Sequence, residues 1–234
     1  MNYLFTPPTP VSVPIVGSVR RVPVHRVYCL VRNYVGHARE MGFSGQEAPF
    51  FFLKPADAQA LVVVETGETG NLQYPRLTKD LHHEIELVVV IGTGGKNIRA
   101  DEAHQHIFGY AVGLDMTRRD LQIEMAEKGR PWCIGKSFDH CAAIGAITPK
   151  ADVTNISDAE IHLQINGSDR QHSQISELIW NAEKTVEKIS EAWDLCPGDL
   201  IYTGTPQGVA SVTPGDLMVG KITGLQPLKV KISA

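Results

Sequence analysis

The chain has 234 residues, 43% of them hydrophobic and 21% charged, values typical of a soluble domain able to bury one sizeable core. A formal charge of -4, with Lys and Arg scattered along the chain, gives no basic field for a nucleic-acid backbone, so nucleic acid is excluded as a partner. Four widely spaced cysteines, Cys29, Cys133, Cys141 and Cys196, include no C-x-x-C pair, which excludes a disulfide framework or zinc cluster and predicts reduced thiols in a cytoplasmic protein.

Residues 1–24 are Pro-rich and carry their positive charges after the apolar stretch, the wrong order for a signal peptide; they read as an extended arm ahead of one main domain, 25–234. No apolar run approaches membrane-spanning length, so no membrane partner is expected. RVYCLV from Arg26 reads as a strand, VGHAREMG as a short polar helix closed by Gly42, and FFFLKP as an apolar run ended by Pro55. ALVVVE, IELVVVIG, FGYAVGLD, AAIGAIT, IHLQING, DLIYTGT and PLKVKIS follow as β-rich segments bounded by turn residues. Between them, TRRDLQIEMAEKG predicts a helix with Asp115 and Thr117 as caps and an end at Gly129, and NAEKTVEKISEAW a helix with Val186, Ile189 and Trp193 on one face. Strands outnumber helices without alternating regularly with them, so the expected class is mixed α/β, β-rich, with antiparallel or mixed sheets. The glycines of IGTGGKN resemble a dinucleotide fingerprint, but Asn97 holds the third glycine position and no helix follows; a turn between strands is the better reading.

The acidic residues carry the chemistry. Glu84 and Glu86 are two apart in an extended run, so they project from one side while Ile85, Leu87 and Val89 face the other. An isolated E-x-E is most often the wet face of a half-exposed strand. Asp115, arriving from the next strand end, makes three carboxylates, and such crowding calls for a proton or a cation. All-oxygen ligands suit Mg²⁺, Mn²⁺ or Ca²⁺. His37 and Glu40 lie i and i+3 on the short helix, where an imidazole and a carboxylate can share and deprotonate a water. Arg119 and Gln122, four and seven residues past Asp115, are placed to border the same pocket, and His82 shares the face of Glu84. Lys136 sits between apolar segments, Lys54 closes an aromatic run, and Thr203 and Thr205 offer hydroxyls in a Gly/Pro turn.

Together these blocks resemble the fumarylacetoacetate hydrolase family. The resemblance rests on N-Y-x-x-H-x-x-E-M-G at Asn33 to Gly42, F-x-K-P at Phe52 to Pro55, H-x-E-x-E at His82 to Glu86 and G-Y-x-V-x-x-D-x-T-x-R-D-x-Q at Gly109 to Gln122. It continues through G-K-S-F-D at Gly135 to Asp139 and P-G-D-x-I-x-T-G-T-P-x-G-V at Pro197 to Val209, and covers nearly everything after residue 25. It implies a mixed β-sandwich or roll with a few short helices, and a homodimer. It also implies a divalent cation, Mg²⁺ or Mn²⁺, on Glu84, Glu86 and Asp115 that polarises a 1,3-diketo acid for carbon–carbon bond hydrolysis. His37 and Glu40 are then the water-activating pair, with Lys136, Arg119, Gln122 and Thr205 around the substrate. Arg32, the PFFFLKPADA block and SELIWN are most similar to the members that hydrolyse fumarylpyruvate in aromatic catabolism. That similarity implies Arg32 and Lys54 as partners of a far substrate carboxylate. Acylpyruvate hydrolysis, oxaloacetate decarboxylation and hydroxydienedioate isomerisation are the alternatives on the same scaffold, and a non-catalytic dicarboxylate binder is the rival of another class. Val31 stands where the family pattern has glycine, and a β-branched residue there is expected to alter the backbone leading to His37.

Overall fold

The alternating apolar runs assemble into two facing sheets, seen in a computed structural model that describes residues 2–40 and 48–234. The larger sheet has the strand order Phe51–Lys54, Val27–Leu30, Leu200–Tyr202, Ile85–Ile91, Ile107–Asp115, Ala142–Ile144, Leu61–Val63, and Thr148–Pro149 also pairs with Ile107–Asp115. Val27–Leu30 runs parallel to Leu200–Tyr202, and Ala142–Ile144 parallel to Leu61–Val63. The other pairs are antiparallel, so the sheet is mixed. Five strands form the smaller sheet, ordered Ser168–Gln174, Glu160–Ile165, Leu217–Ile222, Leu228–Ser233, Gly70–Gln73. A ribbon of Thr117–Arg118, Leu81–His83 and Ala210–Val212 extends beside the acidic residues.

Ile85–Ile91 is buried along its whole length, which overturns the wet-face reading of this strand. Its alternation separates two cores. Ile85, Leu87 and Val89 join Val112 and Leu114 against Ile161, Leu163, Met218 and Val230 of the smaller sheet. Val88 and Val90 face the other way, onto Val27, Cys29, Ala111, Ile144 and Tyr202. Each such side chain contributes roughly 1.5–3 kcal/mol by leaving water. Gly113 stands opposite Glu86. A Cβ there would lie 2.5 Å from Val88 Cγ2 and 2.6 Å from Tyr202 Cε1, so the tyrosine ring under the acidic residues requires glycine at this point.

Near the N-terminus, Ser12–Pro14 and Arg21–Pro23 pair as a small hairpin, and Val16 N–H donates to Ile147 O. The helix Ala182–Ala192 is capped by Asn181, whose Oδ1 accepts from Lys184 N–H at 3.0 Å, and buries Val186 and Ile189. Trp193 follows it, packed on Tyr28 and Phe51. Gly92 to His106 connect two antiparallel strands with no nucleotide-type helix, and Gly95 N–H donates to Leu195 O. The helix Arg119–Glu127 ends before Gly129, whose φ of +61° suits a left-handed stop. Its expected caps are corrected: Asp115 and Thr117 belong to strands and bind lysine ammoniums, while Asp120 Oδ1 accepts from Leu121 N–H in the first turn. The helix Val35–Glu40 starts as predicted, whereas its expected stop at Gly42 lies outside the described residues.

Candidate active site

Strand pairing brings the three carboxylates together. Asp115 N–H donates to Glu84 O at 2.9 Å, setting the end of Ile107–Asp115 beside the break between Leu81–His83 and Ile85–Ile91. Glu86 and Asp115 then project from the face of Val88, Val90 and Ala111. One oxygen from each of Glu84, Glu86 and Asp115 lies within 4.8 Å of the others, and none of the three residues is more than 6% exposed.

Two lysines and an arginine answer this charge unevenly. Lys136 Nζ lies 3.0 Å from Glu84 Oε2 and 2.9 Å from Asp115 Oδ2, and donates to Thr117 Oγ1 at 2.7 Å, so all three of its protons are committed. Thr117 in turn donates to Glu84 Oε1 at 3.0 Å, and Arg119 forms an ion pair with that same oxygen. Burial alone raises the Glu84 carboxyl, but Lys136 and Arg119 reverse this and hold it well below the usual carboxylate range. Glu86 differs. It accepts a backbone hydrogen bond from Gly204 N–H at 2.7 Å, and among the described residues no cation pairs with it. Burial first, then Asp115 and Glu84, push its carboxyl well above the ordinary range.

Lys54 is placed differently from its expected role at a substrate carboxylate. Its Nζ is 2.8 Å from Asp115 Oδ1 and donates to Met116 O and Lys136 O, and its side chain is wholly buried. Burial opposes this charge, yet Asp115 outweighs it and raises the ammonium above its usual range. The residue supports the Asp115 carboxylate from within the core and does not line the cavity.

The cavity is walled by Leu30, Val31, Arg32, His37, Phe52 and Trp132, together with the acidic trio, Arg119, Gln122, Lys136 and Thr205. His37 is 6% exposed. Glu40 ends the same short helix, and its side chain lies outside the described part of the structure. Arg119 Nη1 donates to Gln122 Oε1 at 3.0 Å, confirming that both border one pocket. His82 lies outside the trio, with Nε2 3.0 Å from Asp80 Oδ1 and Nδ1 facing Arg119 Nε. Arg32, not Val31, takes the unusual backbone, with φ +56°, and its guanidinium lies 5.4 Å from the centre of the Phe50 ring. Gly135 lets the turn of Lys136 rest on Gln122, because a Cβ there would sit 2.8 Å from Gln122 Cα.

The turn after Leu200–Tyr202 supplies the opposite wall. Thr203 Oγ1 donates to Leu87 O, and Asn33 Nδ2 donates to Thr203 O at 2.7 Å. Gly204 has φ +96° and lies against Asn33, so its N–H reaches Glu86 only because no side chain intervenes. Thr205 Oγ1 accepts from Gln171 Nε2 at 2.8 Å. Gln171 Oε1 accepts from Ile85 N–H and faces His83 Nδ1. Burial lowers His83 to about 4, so the ring is neutral. Asn33, Thr117 and Gln171 are the supports that residue spacing did not reveal as such. Asn33 and Thr117 sit inside recognisable blocks, whereas Gln171, in SDRQHSQ, carries no sequence signal.

A hard divalent cation fits these residues. An octahedral ion with oxygens at about 2.1 Å holds neighbouring ligands about 3 Å and opposed ones about 4 Å apart, so small rotations close the trio around it. Glu86 is crowded by two carboxylates and has no cationic partner among the described residues, so a bound cation would relieve the crowding that pushes its carboxyl up. The cavity that the three carboxylates help to line holds about 40 Å³, sufficient for an ion and a water or two.

Comparison with known proteins agrees with this geometry. The family described as Fumarylacetoacetate (FAA) hydrolase C-terminal matches residues 26–233. A fumarylpyruvate hydrolase of a Ralstonia species is 40% identical over 186 residues, 80% of this chain and 93% of that protein. The crystal structure of fumarylpyruvate hydrolase from Pseudomonas aeruginosa in complex with Mn²⁺ and pyruvate is 52% identical, with a TM-score of 0.96 and 99% of each chain covered. A mitochondrial oxaloacetate tautomerase of Bos taurus is 35% identical over 206 residues, 88% of this chain and 90% of that protein. The chain belongs to the fumarylacetoacetate hydrolase family.

Proposed function

We propose that this protein hydrolyses a carbon–carbon bond of a 1,3-diketo acid in a metal-dependent reaction, with fumarylpyruvate as substrate and fumarate and pyruvate as products. The observation that carries the reading is the buried Glu84, Glu86 and Asp115 trio, with oxygens within 4.8 Å, facing His37 across one cavity. The three carboxylates hold Mg²⁺ or Mn²⁺, which when bound supplies a Lewis acid for the pyruvoyl end of the substrate.

His37, with Glu40 beside it in sequence, takes a proton from water as the oxygen adds to the distal carbonyl. The bond between that carbon and the methylene then breaks, its electron pair passing into the pyruvoyl fragment, and a proton returned to the methylene completes pyruvate. Lys136, relieved of one carboxylate contact when those oxygens act as ligands, donates to the oxyanion that develops, with Arg119 and Gln122 holding the diketo acid. Thr205 contributes a hydroxyl. Arg32 takes the far carboxylate, because a guanidinium binds carboxylate through two parallel hydrogen bonds, and Lys54 acts as a support of Asp115. Side chains around the 40 Å³ space shift to admit substrate; across the wall of Phe52, Trp132 and Lys136 lies a neighbouring hollow of about 440 Å³.

Oxaloacetate decarboxylation or tautomerisation is the second reading, since related proteins carry those names and neither reaction needs an attacking water. His37 on the cavity wall favours hydrolysis. Residues 25–234 are the catalytic unit and 1–24 its arm. The assembly is a homodimer, for which exposed Leu53 and Ile134, each 42% accessible, provide apolar surface. The four unpaired cysteines suit a cytoplasmic location. The test is a panel of fumarylpyruvate, acetylpyruvate and oxaloacetate with Mg²⁺ and with Mn²⁺, on the native protein and Arg32→Met. The reading expects fumarylpyruvate to be preferred, and that preference to fall at least tenfold in Arg32→Met. Oxaloacetate turnover without diketo-acid hydrolysis would replace it with the second reading.

A further inference from the structure

We infer that Gln171 is a positioning residue that fixes the direction of the Thr205 hydroxyl, so that Thr205 acts as a hydrogen-bond donor to an anionic oxygen of the bound ligand. This deepens the function proposed above and rests on it. The argument is one of donors and acceptors. Ile85 N–H can only donate, so the Gln171 atom 3.1 Å from it is the amide oxygen. Pro206 O can only accept, so the atom 2.8 Å from it is the amide nitrogen. His83 Nδ1 lies 2.9 Å from the same Oε1 and therefore carries a proton, holding the amide from a second side. The remaining Nε2 proton points at Thr205 Oγ1, 2.8 Å away, which must accept it.

A hydroxyl that accepts from an amide keeps its own proton for another oxygen. Among the described residues nothing takes that proton, although Thr205 is 2% exposed and lines the cavity beside Glu84, Glu86 and Asp115. The acceptor is then the ligand, and the wiring selects a carboxylate or keto oxygen over a donor group. Gln171 itself does not touch the cavity. It is 1% exposed, on the Ser168–Gln174 strand of the smaller sheet, and acts only through the threonine.

The experiment is a double-mutant cycle on Gln171→Glu and Thr205→Val, reading pyruvate affinity by calorimetry at saturating Mn²⁺, with KM and kcat alongside. A carboxylate at 171 must receive hydrogen bonds, so it draws the Thr205 proton away from the ligand. Thr205→Val is expected to weaken pyruvate about tenfold, the loss of one hydrogen bond to a charged group. Gln171→Glu should weaken it about as much in the native background and less than twofold in Thr205→Val, with KM moving more than kcat. Should a buried charge prevent folding, Gln171→Met substitutes for it, with a loss of about threefold that vanishes in Thr205→Val. Equal losses in both backgrounds, or none in either, overturn the inference and leave the functional reading standing. If the native protein with Mn²⁺ binds no pyruvate at all, the functional reading falls and the inference falls with it.

Discussion

Lys54 Nζ lies 2.8 Å from Asp115 Oδ1, and both side chains are almost wholly shielded from solvent. A lysine in that position holds the Asp115 carboxylate in place and stands off the cavity wall. Lys54→Met removes one partner of a buried pair and leaves the other uncompensated, so it is expected to cost about 3–5 kcal/mol of folding stability in urea titration. A rise in KM for fumarylpyruvate with unchanged stability would restore the substrate role that the sequence suggested.

Glu86 makes the opposite case. Its carboxyl is pushed well above the ordinary carboxylate range by burial and by Asp115 and Glu84, so the neutral form costs less here than at an exposed glutamate. Glu86→Gln mimics that protonated form and can still accept from Gly204 N–H, so the metal-free variant should melt at or above the native temperature. Mn²⁺ affinity should fall by roughly two orders of magnitude, and with it the rise in melting temperature that the ion gives the native protein. Unchanged Mn²⁺ stabilisation would remove Glu86 from the ligand set.

His37 is buried in the cavity wall and is assigned to proton transfer. His37→Ala is expected to lower kcat by about 10²–10⁴-fold with little change in KM, because a base acts in the transition state more than in binding. A change confined to KM would make His37 a binding residue. Rescue of kcat by added imidazole would strengthen the assignment.

The acidic trio was legible because strand alternation is local: Glu84 and Glu86 lie two positions apart with Ile85 between them, and Asp115 closes the neighbouring strand. The run FFFLKP marked Lys54 as the end of an aromatic segment but not what its ammonium meets, since Asp115 is distant in sequence and the two meet only through the tertiary fold. Gln171 was illegible for the same reason. It reaches Ile85 and Thr205 by the packing of one sheet on another, and no pattern within SDRQHSQ encodes that meeting. The caps expected of Asp115 and Thr117 failed because side chains that suit a helix end also suit an ammonium, and Lys136 was the nearer partner.

His83 gives a pH signature. Burial lowers it to about 4, against an ordinary value of about 6.5, so the unfolded chain binds the proton more readily than the folded one. Its contribution to stability is therefore intact above about pH 6.5 and is lost as the pH falls towards 4, by about 3 kcal/mol in all. His83→Gln keeps a donor for Gln171 and removes the titration. Between pH 7 and 4 the metal-free variant should lose less stability than the native protein by that amount, and parallel acid limbs would show that His83 is protonated in the fold.

The most direct test of the account is the reaction itself under control of the metal. Chelator-treated protein is mixed with fumarylpyruvate, the enol absorbance is followed, and Mn²⁺ is then restored with fumarate and pyruvate quantified. The account predicts no loss of absorbance until Mn²⁺ is added, then release of the two products in equal amounts. Turnover in the chelated protein, or a metal-restored protein that leaves fumarylpyruvate intact, would contradict it.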